Sequence, residues 1–292
     1  MTQVFNYDAA FSRNLGWVTS AEQYTLRQKR IAIAGMGGVG GSHLLTLTRL
    51  GIEAFNIADH DVFDIVNINR QSGAFMSTLD RPKVEVMAEL AQDINPDLRI
   101  KSFSSGIDAG NLSEFLADVD LYIDGLDFFC FDIRQKVFAA CFSLGIPAIT
   151  VAPLGMGAAL LNFMPDGMSF EEYFRLEHLE TEAELALHFL MGLSPTMLQM
   201  GYLVDPSRVD LARHRGPSTA MACQLCSGIA ATEALKIILR RGKVYAAPRG
   251  IHFDAFKNKI VRTWRPGGNK NPLQRLLMSI ARRRLSSDSG TV

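Results

Sequence analysis

The sequence lacks a net charge: 30 Lys and Arg are matched by 30 Asp and Glu, giving +0 at pH 7. No global field draws such a chain toward nucleic acid or a membrane surface, so neither partner is expected, and any attraction has to come from a local patch. Cysteine is scarce, with 4 in 292 residues (Cys130, Cys141, Cys223 and Cys226). A chain of this length can build a core without disulfides, and the scarcity points to a reducing cytoplasm. No apolar run reads as a membrane span, because the richest stretch, Ala148–Leu161, is short and broken by proline and glycine. Met1–Asn6 has neither the basic nor the apolar region of a secretory signal. No internal repeat of roughly 20–50 residues is present. What is there is 48% hydrophobic and 21% charged, suited to a globular protein with a substantial core.

Short apolar runs alternate with helical periods. Ile31–Ala34, Phe55–Ala58, Ile100–Phe103, Leu121–Ile123 and Ala148–Val151 read as strands. Ser42–Leu50, Lys83–Ile94, Leu112–Leu116 and Arg134–Leu144 read as helices; in Lys83–Ile94 the apolar positions Val84, Met87, Ala88, Leu90 and Ala91 recur at helical spacing. This order predicts an α/β fold, a doubly wound and mainly parallel Rossmann-like sheet. Phe11–Arg30 is expected to be helical, with a cap at Thr19-Ser20-Ala21-Glu22. Residues 31–153 form the nucleotide-binding core. Asn162–Arg215, rich in Glu, Met and Leu and punctuated by Pro165, Pro195 and Pro206, reads as a helical insertion over the sheet's ligand edge. A helix at Cys223–Leu239 and a strand at Ile251–Phe253 resume the alternation. The domain thus runs over 1–265, followed by a turn-rich linker (Pro266–Asn271), a basic helix (Leu273–Leu285) and a disordered tail (Ser286–Val292).

Gly35-Met36-Gly37-Gly38-Val39-Gly40 fits G-x-G-x-x-G between a strand and a helix. Glycines there allow backbone amides to approach phosphate oxygens, and the following helix N-terminus favours negative charge. A P-loop is excluded, since Gly41 stands where lysine should precede Ser42. Asp59, ending the next apolar run, is where a ribose-binding carboxylate belongs, although a plain strand-ending aspartate also fits. Asn67-Ile68-Asn69-Arg70-Gln71 follows, Lys83 opens a helix, and Asp124-Gly125-Leu126-Asp127 ends a strand. A parallel sheet delivers strand C-termini to one edge, so these groups should converge there. Two cations and two carboxylates beside a glycine loop suit a Mg2+-bound polyphosphate better than a nicotinamide.

These residues in this order resemble the ubiquitin-activating-type adenylyltransferases, the ThiF/MoeB superfamily. The resemblance covers about Phe11–Pro153 and then Gly216–Leu239, and rests on Arg13-Asn14, the glycine loop, Asp59 with Asn67 and Arg70-Gln71, Lys83, and Asp124–Asp127. It implies that Gly35, Gly37, Gly38 and Gly40 shape a phosphate loop for ATP, that Asp59 binds ribose, that Asn67, Arg70 and Lys83 contact phosphates, and that Asp127 holds Mg2+. Asp124 either joins the nucleotide site or only orients the loop. Arg13 would reach the active site of a partner subunit, implying a homodimer. The activity implied is adenylation of a carboxylate on a small protein or peptide with a free C-terminus; dehydration of threonylcarbamoyl-adenosine in tRNA and nucleotide binding without turnover are the alternatives.

The chain also departs from that pattern. It has one C-x-x-C, Cys223-Gln224-Leu225-Cys226, where many relatives carry two. Structural Zn is therefore not expected, since tetrahedral Zn needs four ligands. The pair reads first as small buried residues and second as a redox or thiol-transfer group. Asn162–Arg215 holds no cysteine for a covalent relay, and its His178, His188 and His214 have no evident partner thiols. Phe128-Phe129-Cys130-Phe131 should pack beneath the insertion, Met191, Met197 and Met200 within it, and Arg282-Arg283-Arg284 should be a solvated basic run.

Overall fold

The first strand, β1 (Arg30–Ala34), is apolar throughout its last four residues because both of its faces are covered. The same holds for β2 (Ala54–Ala58) and β4 (Leu121–Asp124); β3 (Arg99–Phe103) lies at the edge and is more exposed. With β5 (Ala148–Leu154), β6 (Gly157–Phe163), β7 (Arg249–Asp254) and β8 (Lys259–Trp264) they form one sheet in the order β3-β2-β1-β4-β5-β6-β7-β8. The first five strands are parallel and the last three run as an antiparallel meander. The computed structural model describes residues 4–210 and 213–288, with side chains to Arg282 in the last helix.

The helices are α1 (Tyr7–Phe11), α2 (Ser20–Arg27), α3 (Gly40–Leu50), α4 (Lys83–Ile94), α5 (Leu112–Phe115), α6 (Phe131–Leu144), α7 (Phe170–Phe174), α8 (Glu182–Leu193), α9 (Ala220–Ile238) and α10 (Pro272–Asp288). Residues of α3, α4 and α9 fill the core on one face of the sheet, and residues of α6, α7 and α8 the core on the other. By length and apolarity α9 could cross a membrane. Here it packs on the sheet, with Ala222, Cys223, Cys226, Ala230 and Ala234 in the core.

The structure differs from these expectations at five places. The helix over Phe11–Arg30 is broken into α1, a 3₁₀ turn at Ser12–Asn14, and α2. Gly16 at φ +105 interrupts it, and Thr19 with Glu22 starts α2 afresh as a capping box. The insertion begins later than Asn162, which pairs with Ile149 inside β6 and donates from Nδ2 to Glu233 Oε2 at 2.9 Å. β6, unassigned from the sequence apart from its last two residues, is hard to see because Ala158 and Ala159 carry little strand signal. β8 was missed because Lys259 and Arg262 break up its short apolar pattern at an exposed edge. Finally, Ser286–Asp288 belong to α10; residues 289–292 of the expected tail lie outside the described residues. That helix is no loose appendage, since Met278 is buried against Leu187 and Met191 of α8.

Candidate active site

The register sets the site. Ala34 stands opposite Ala58 on one side and Asp124 on the other, so β1, β2 and β4 end level and deliver Gly35, Asp59 and Gly125 to one edge. Strand order reverses between β1 and β4, the point where open α/β sheets leave a crevice for ligands. Gly35 leaves β1 at φ +87, a turn that other residues strain to make. A Cβ on Gly35 would overlap the backbone of Gly125, and one on Gly40 would overlap the carbonyl of Gly35. One on Gly125 would come 2.7 Å from Gly35 O and 2.9 Å from Gly40 Cα. This three-glycine contact seats the N-terminus of α3 over the end of β1. No side chain caps that helix, leaving its first amides for a ligand with negative charge.

The groups around the loop hold it still. Asp59 accepts from Met36 N at 2.6 Å through Oδ2 and from Asp61 N at 2.8 Å through Oδ1. Asn67 Oδ1 accepts from Asp64 N at 3.0 Å, capping the 3₁₀ turn Ile65–Asn67. The Asn67 carbonyl in turn accepts from the amides of Arg70 and Gln71. Arg70 and Gln71 lie along the loop: a Cβ on Gly37 would stand 3.5 Å from Gln71 Nε2, and one on Gly38 3.8 Å from Arg70 Cγ. Gln71 Oε1 is buried with no hydrogen-bond partner, an acceptor awaiting a donor beside the loop. Lys83 is not a solvated helix-end residue. Its side chain is 8% exposed and its Nζ is held 2.9 Å from Asp61 Oδ2, offsetting the unfavourable placement of a cation in a helix's first turn.

Asp124 and Asp127 divide their roles. Asp124 is 4% exposed. Its Oδ2 accepts from Arg134 Nε at 2.9 Å and Thr150 Oγ1 at 3.0 Å. Arg134 also donates to the carbonyls of Phe128 (3.1 Å), Leu126 (2.8 Å) and Asp127 (2.8 Å). The structure gives Asp124 a part in a buried brace that shapes the loop, the second of the two roles open to it from the sequence. Asp127, by contrast, is exposed at the loop's crest. Burial pushes the Cys130 thiol up; Arg134 opposes the shift, while Asp127, Asp124 and Asp61 add to it. Among the described residues, the metal-ligating side chains found within 4.8 Å of one another are Asp59, His60 and Asp61, a group without Asp127.

The insertion does close on this edge. His214 stacks on Phe129 at 4.2 Å and pairs through Nε2 with Glu182 Oε1 at 2.6 Å. Asn69 Nδ2 donates to Ser218 O at 3.0 Å, and Thr219 Oγ1 to Gly155 O at 3.0 Å. Phe128 and Phe131 meet Phe189 of α8 at 5.2 and 5.8 Å, so the aromatic run packs beneath the insertion. Cys223 and Cys226 are core residues at the start of α9, and burial pushes both thiols up. Cys223 lies against the loop, its Sγ 3.2 Å from where a Gly38 Cβ would be. Met191 is buried as expected, whereas Met200 is 51% exposed. Arg13 is not brought to the site: its neighbour Asn14 donates to Leu50 O at 3.3 Å. That contact is at the far end of α3, about 16 Å from the glycine loop by helical rise.

Sequence reasoning missed Arg134, Thr150 and Asp61, and named Gln71 without giving it a role. An arginine within a helix pattern reads as surface, and only a pairing across the fold reveals it as buried. Asp61 carried one signal, its place two residues beyond Asp59.

A level row of parallel strand ends carrying a glycine wedge, a bare helix N-terminus and two cations defines a nucleotide-binding Rossmann-like protein. The ThiF family profile matches residues 11–276, and the chain belongs to the ThiF family. The sulfur carrier protein ThiS adenylyltransferase of Escherichia coli (strain K12) is 29% identical over 143 residues, 49% of this chain and 56% of that protein. The tRNA threonylcarbamoyladenosine dehydratase of Bacillus subtilis (strain 168) is 33% identical over 150 residues, 51% of this chain and 57% of that protein. The chain therefore spans little more than half the length of these relatives. In fold it is similar to E. coli MccB crystallised with ATP, with TM-score 0.63, 17% identity, and coverage of 87% of this chain and 69% of that one. It is also similar to the E. coli tRNA N6-threonylcarbamoyladenosine dehydratase in complex with AMP, with TM-score 0.60, 20% identity, and coverage of 82% and 98%.

Proposed function

We propose that this chain uses ATP and Mg2+ to adenylate a carboxylate, the C-terminus of a ubiquitin-like or sulfur-carrier protein or of a peptide. The observation that carries the reading is the uncapped start of α3 on the three-glycine contact, with Arg70 and Gln71 alongside and Lys83 close by. These residues fit a nucleotide: the glycines leave no side chain to obstruct a phosphate, and the unmet acceptor Gln71 Oε1 suits a ribose hydroxyl or a base amino group as donor. Asp59 would take the ribose through its remaining acceptor capacity. Asp127 would hold Mg2+, which when bound neutralises phosphate charge.

The chain's own residues then have an electrostatic task. A carboxylate nucleophile is already ionised near pH 7 and needs no base. It must approach a phosphate of like charge, so positioning and cationic stabilisation dominate. Arg70 and the Asp61-held Lys83 supply the cations, and the Arg134 brace keeps the Asp127 loop in place. Because Arg13 sits at the far end of α3, we assign it to the site of a second copy in a homodimer. The crossover segment has no cysteine, so the activated group would pass directly to its acceptor. The Bacillus relative favours a second reading, action on threonylcarbamoyl-adenosine in tRNA.

Exchange of labelled pyrophosphate into ATP tests the reading. Exchange should require Mg2+ and a small protein or peptide ending in Gly-Gly, and Asp127→Ala should abolish it. Near wild-type exchange in Asp127→Ala would remove Asp127 as the Mg2+ ligand. ATP turnover with threonylcarbamoylated tRNA alone would select the second reading.

A further inference from the structure

A cavity of about 670 Å³ opens between α8, α10 and the end of α7, lined by Arg175, Lys270, Arg275, Arg282, His188 and Asn269 together with the exposed Leu276 and the buried Met278. It adjoins the sheet face that carries α6, α7 and α8, whereas the glycine loop leads into α3 on the other. In a chain with a net charge of +0, such a concentration of one sign needs a reason. No acid lines it. Arg282 is engaged with Glu184, its Nε 2.7 Å from Oε1. Arg175, Lys270 and Arg275 are exposed; among the described residues none makes a salt bridge, and Glu171 is the carboxylate that feels the charge of Arg175. Burial lowers the pKa of His188, so its ring stands as a neutral hydrogen-bonding wall.

The cations are held in place. Arg175 has φ +57, a left-handed conformation that a non-glycine residue adopts only under strain. Its amide donates to Glu171 O at 2.8 Å, closing the end of α7. Lys270 is carried on a turn locked by Asn269, which is 3% exposed and donates from Nδ2 to Phe174 O at 2.8 Å and His188 O at 2.9 Å. Arg275 is in the first turn of α10, where a cation is unfavourable for the helix. Strain, a locked turn and a misplaced cation all point the same way.

We propose that this cavity is a second ligand site for a small molecule bearing two or more phosphate groups, separate from the glycine loop and independent of the adenylation reading. Guanidinium forks match phosphate oxygens in pairs, and three cations without salt bridges call for a multivalent anion. The volume lies in the range of small-molecule sites, roughly 300–1,000 Å³. It leaves room over Leu276 and Met278 for an organic portion.

Inorganic tripolyphosphate is the probe, titrated calorimetrically into the full chain at physiological salt with the glycine loop saturated by a non-hydrolysable ATP analogue. One further site per chain is expected. Arg175→Ala/Arg275→Ala should weaken it at least about tenfold, from the loss of charge-assisted bonds, with analogue affinity unchanged. Lys270→Glu gives an independent arm should the double variant fail to fold. Binding that vanishes once the glycine loop is filled, or that survives in the variants, would overturn the site. A short single-stranded RNA that outcompetes tripolyphosphate on the wild type and loses its binding in the variants would overturn the small-molecule assignment.

Discussion

Replacing Arg134 with methionine should cost the protein more than any surface change. Arg134 is 2% exposed and Asp124 is 4% exposed, and their 2.9 Å pair lies under the site loop. Breaking a buried pair by removing one partner costs about 3–5 kcal/mol, because the other charge is left stranded. The carbonyls of Leu126, Asp127 and Phe128 lose their donors as well, at about 1 kcal/mol each where water does not replace them. These losses share one side chain and are not additive. A total of about 4 kcal/mol is expected, a large share of the roughly 5–15 kcal/mol by which domains are stable. With a urea slope of about 2–3 kcal/mol/M the midpoint should fall by about 1–2 M, read by far-ultraviolet circular dichroism. Arg134→Met/Asp124→Leu, which removes the stranded charge, should recover about 2 kcal/mol. It should not recover pyrophosphate exchange, because the loop carbonyls remain unheld. If the single variant unfolds at the wild-type urea concentration, or the double variant is no more stable than the single, the brace is not what holds this loop.

Other expectations concern acid stability, assembly and the thiols. His43 is buried in α3 with both ring nitrogens unpartnered, and burial lowers its pKa from 6.5 to about 3. Between these values the unfolded chain binds a proton that the folded one does not, so stability falls as pH falls through that window. The loss between pH 7 and pH 5 is about 2 kcal/mol; His43→Leu should flatten the urea-midpoint slope there, and an unchanged slope would show that His43 is not responsible. Mixing inactive Arg13→Ala with inactive Asp127→Ala should restore about a quarter of wild-type exchange, because half of randomly mixed dimers hold one intact site. No recovery despite demonstrated subunit exchange would argue against sites completed in trans. Cys223→Ser/Cys226→Ser should keep exchange and lose about 1–3 kcal/mol for each of the two buried hydroxyls left without a partner. Metal analysis should find no stoichiometric Zn in the wild type, and one Zn per chain, lost in the variant, would refute that view.

Local chemistry made much of this protein legible from its sequence. The run Ile31–Gly40 could only be a strand, a glycine turn and a helix start, and Lys83–Ile94 carried its helical period on its face. Asp59 and Asp124–Asp127 each ended an apolar run, so a parallel sheet had to bring them to one edge. Tertiary structure decided the rest, because each remaining feature depends on partners remote in the chain. Asp124 became a brace through Arg134 and Thr150, 10 and 26 positions on. Lys83 became a buried cation through Asp61, 22 positions back. β6 is a strand because β5 and β7 flank it, a fact its alanines do not announce. The glycine positions were readable, but not their reason: Gly35, Gly40 and Gly125 touch, and that close packing of two distant turns exists only once the sheet has formed.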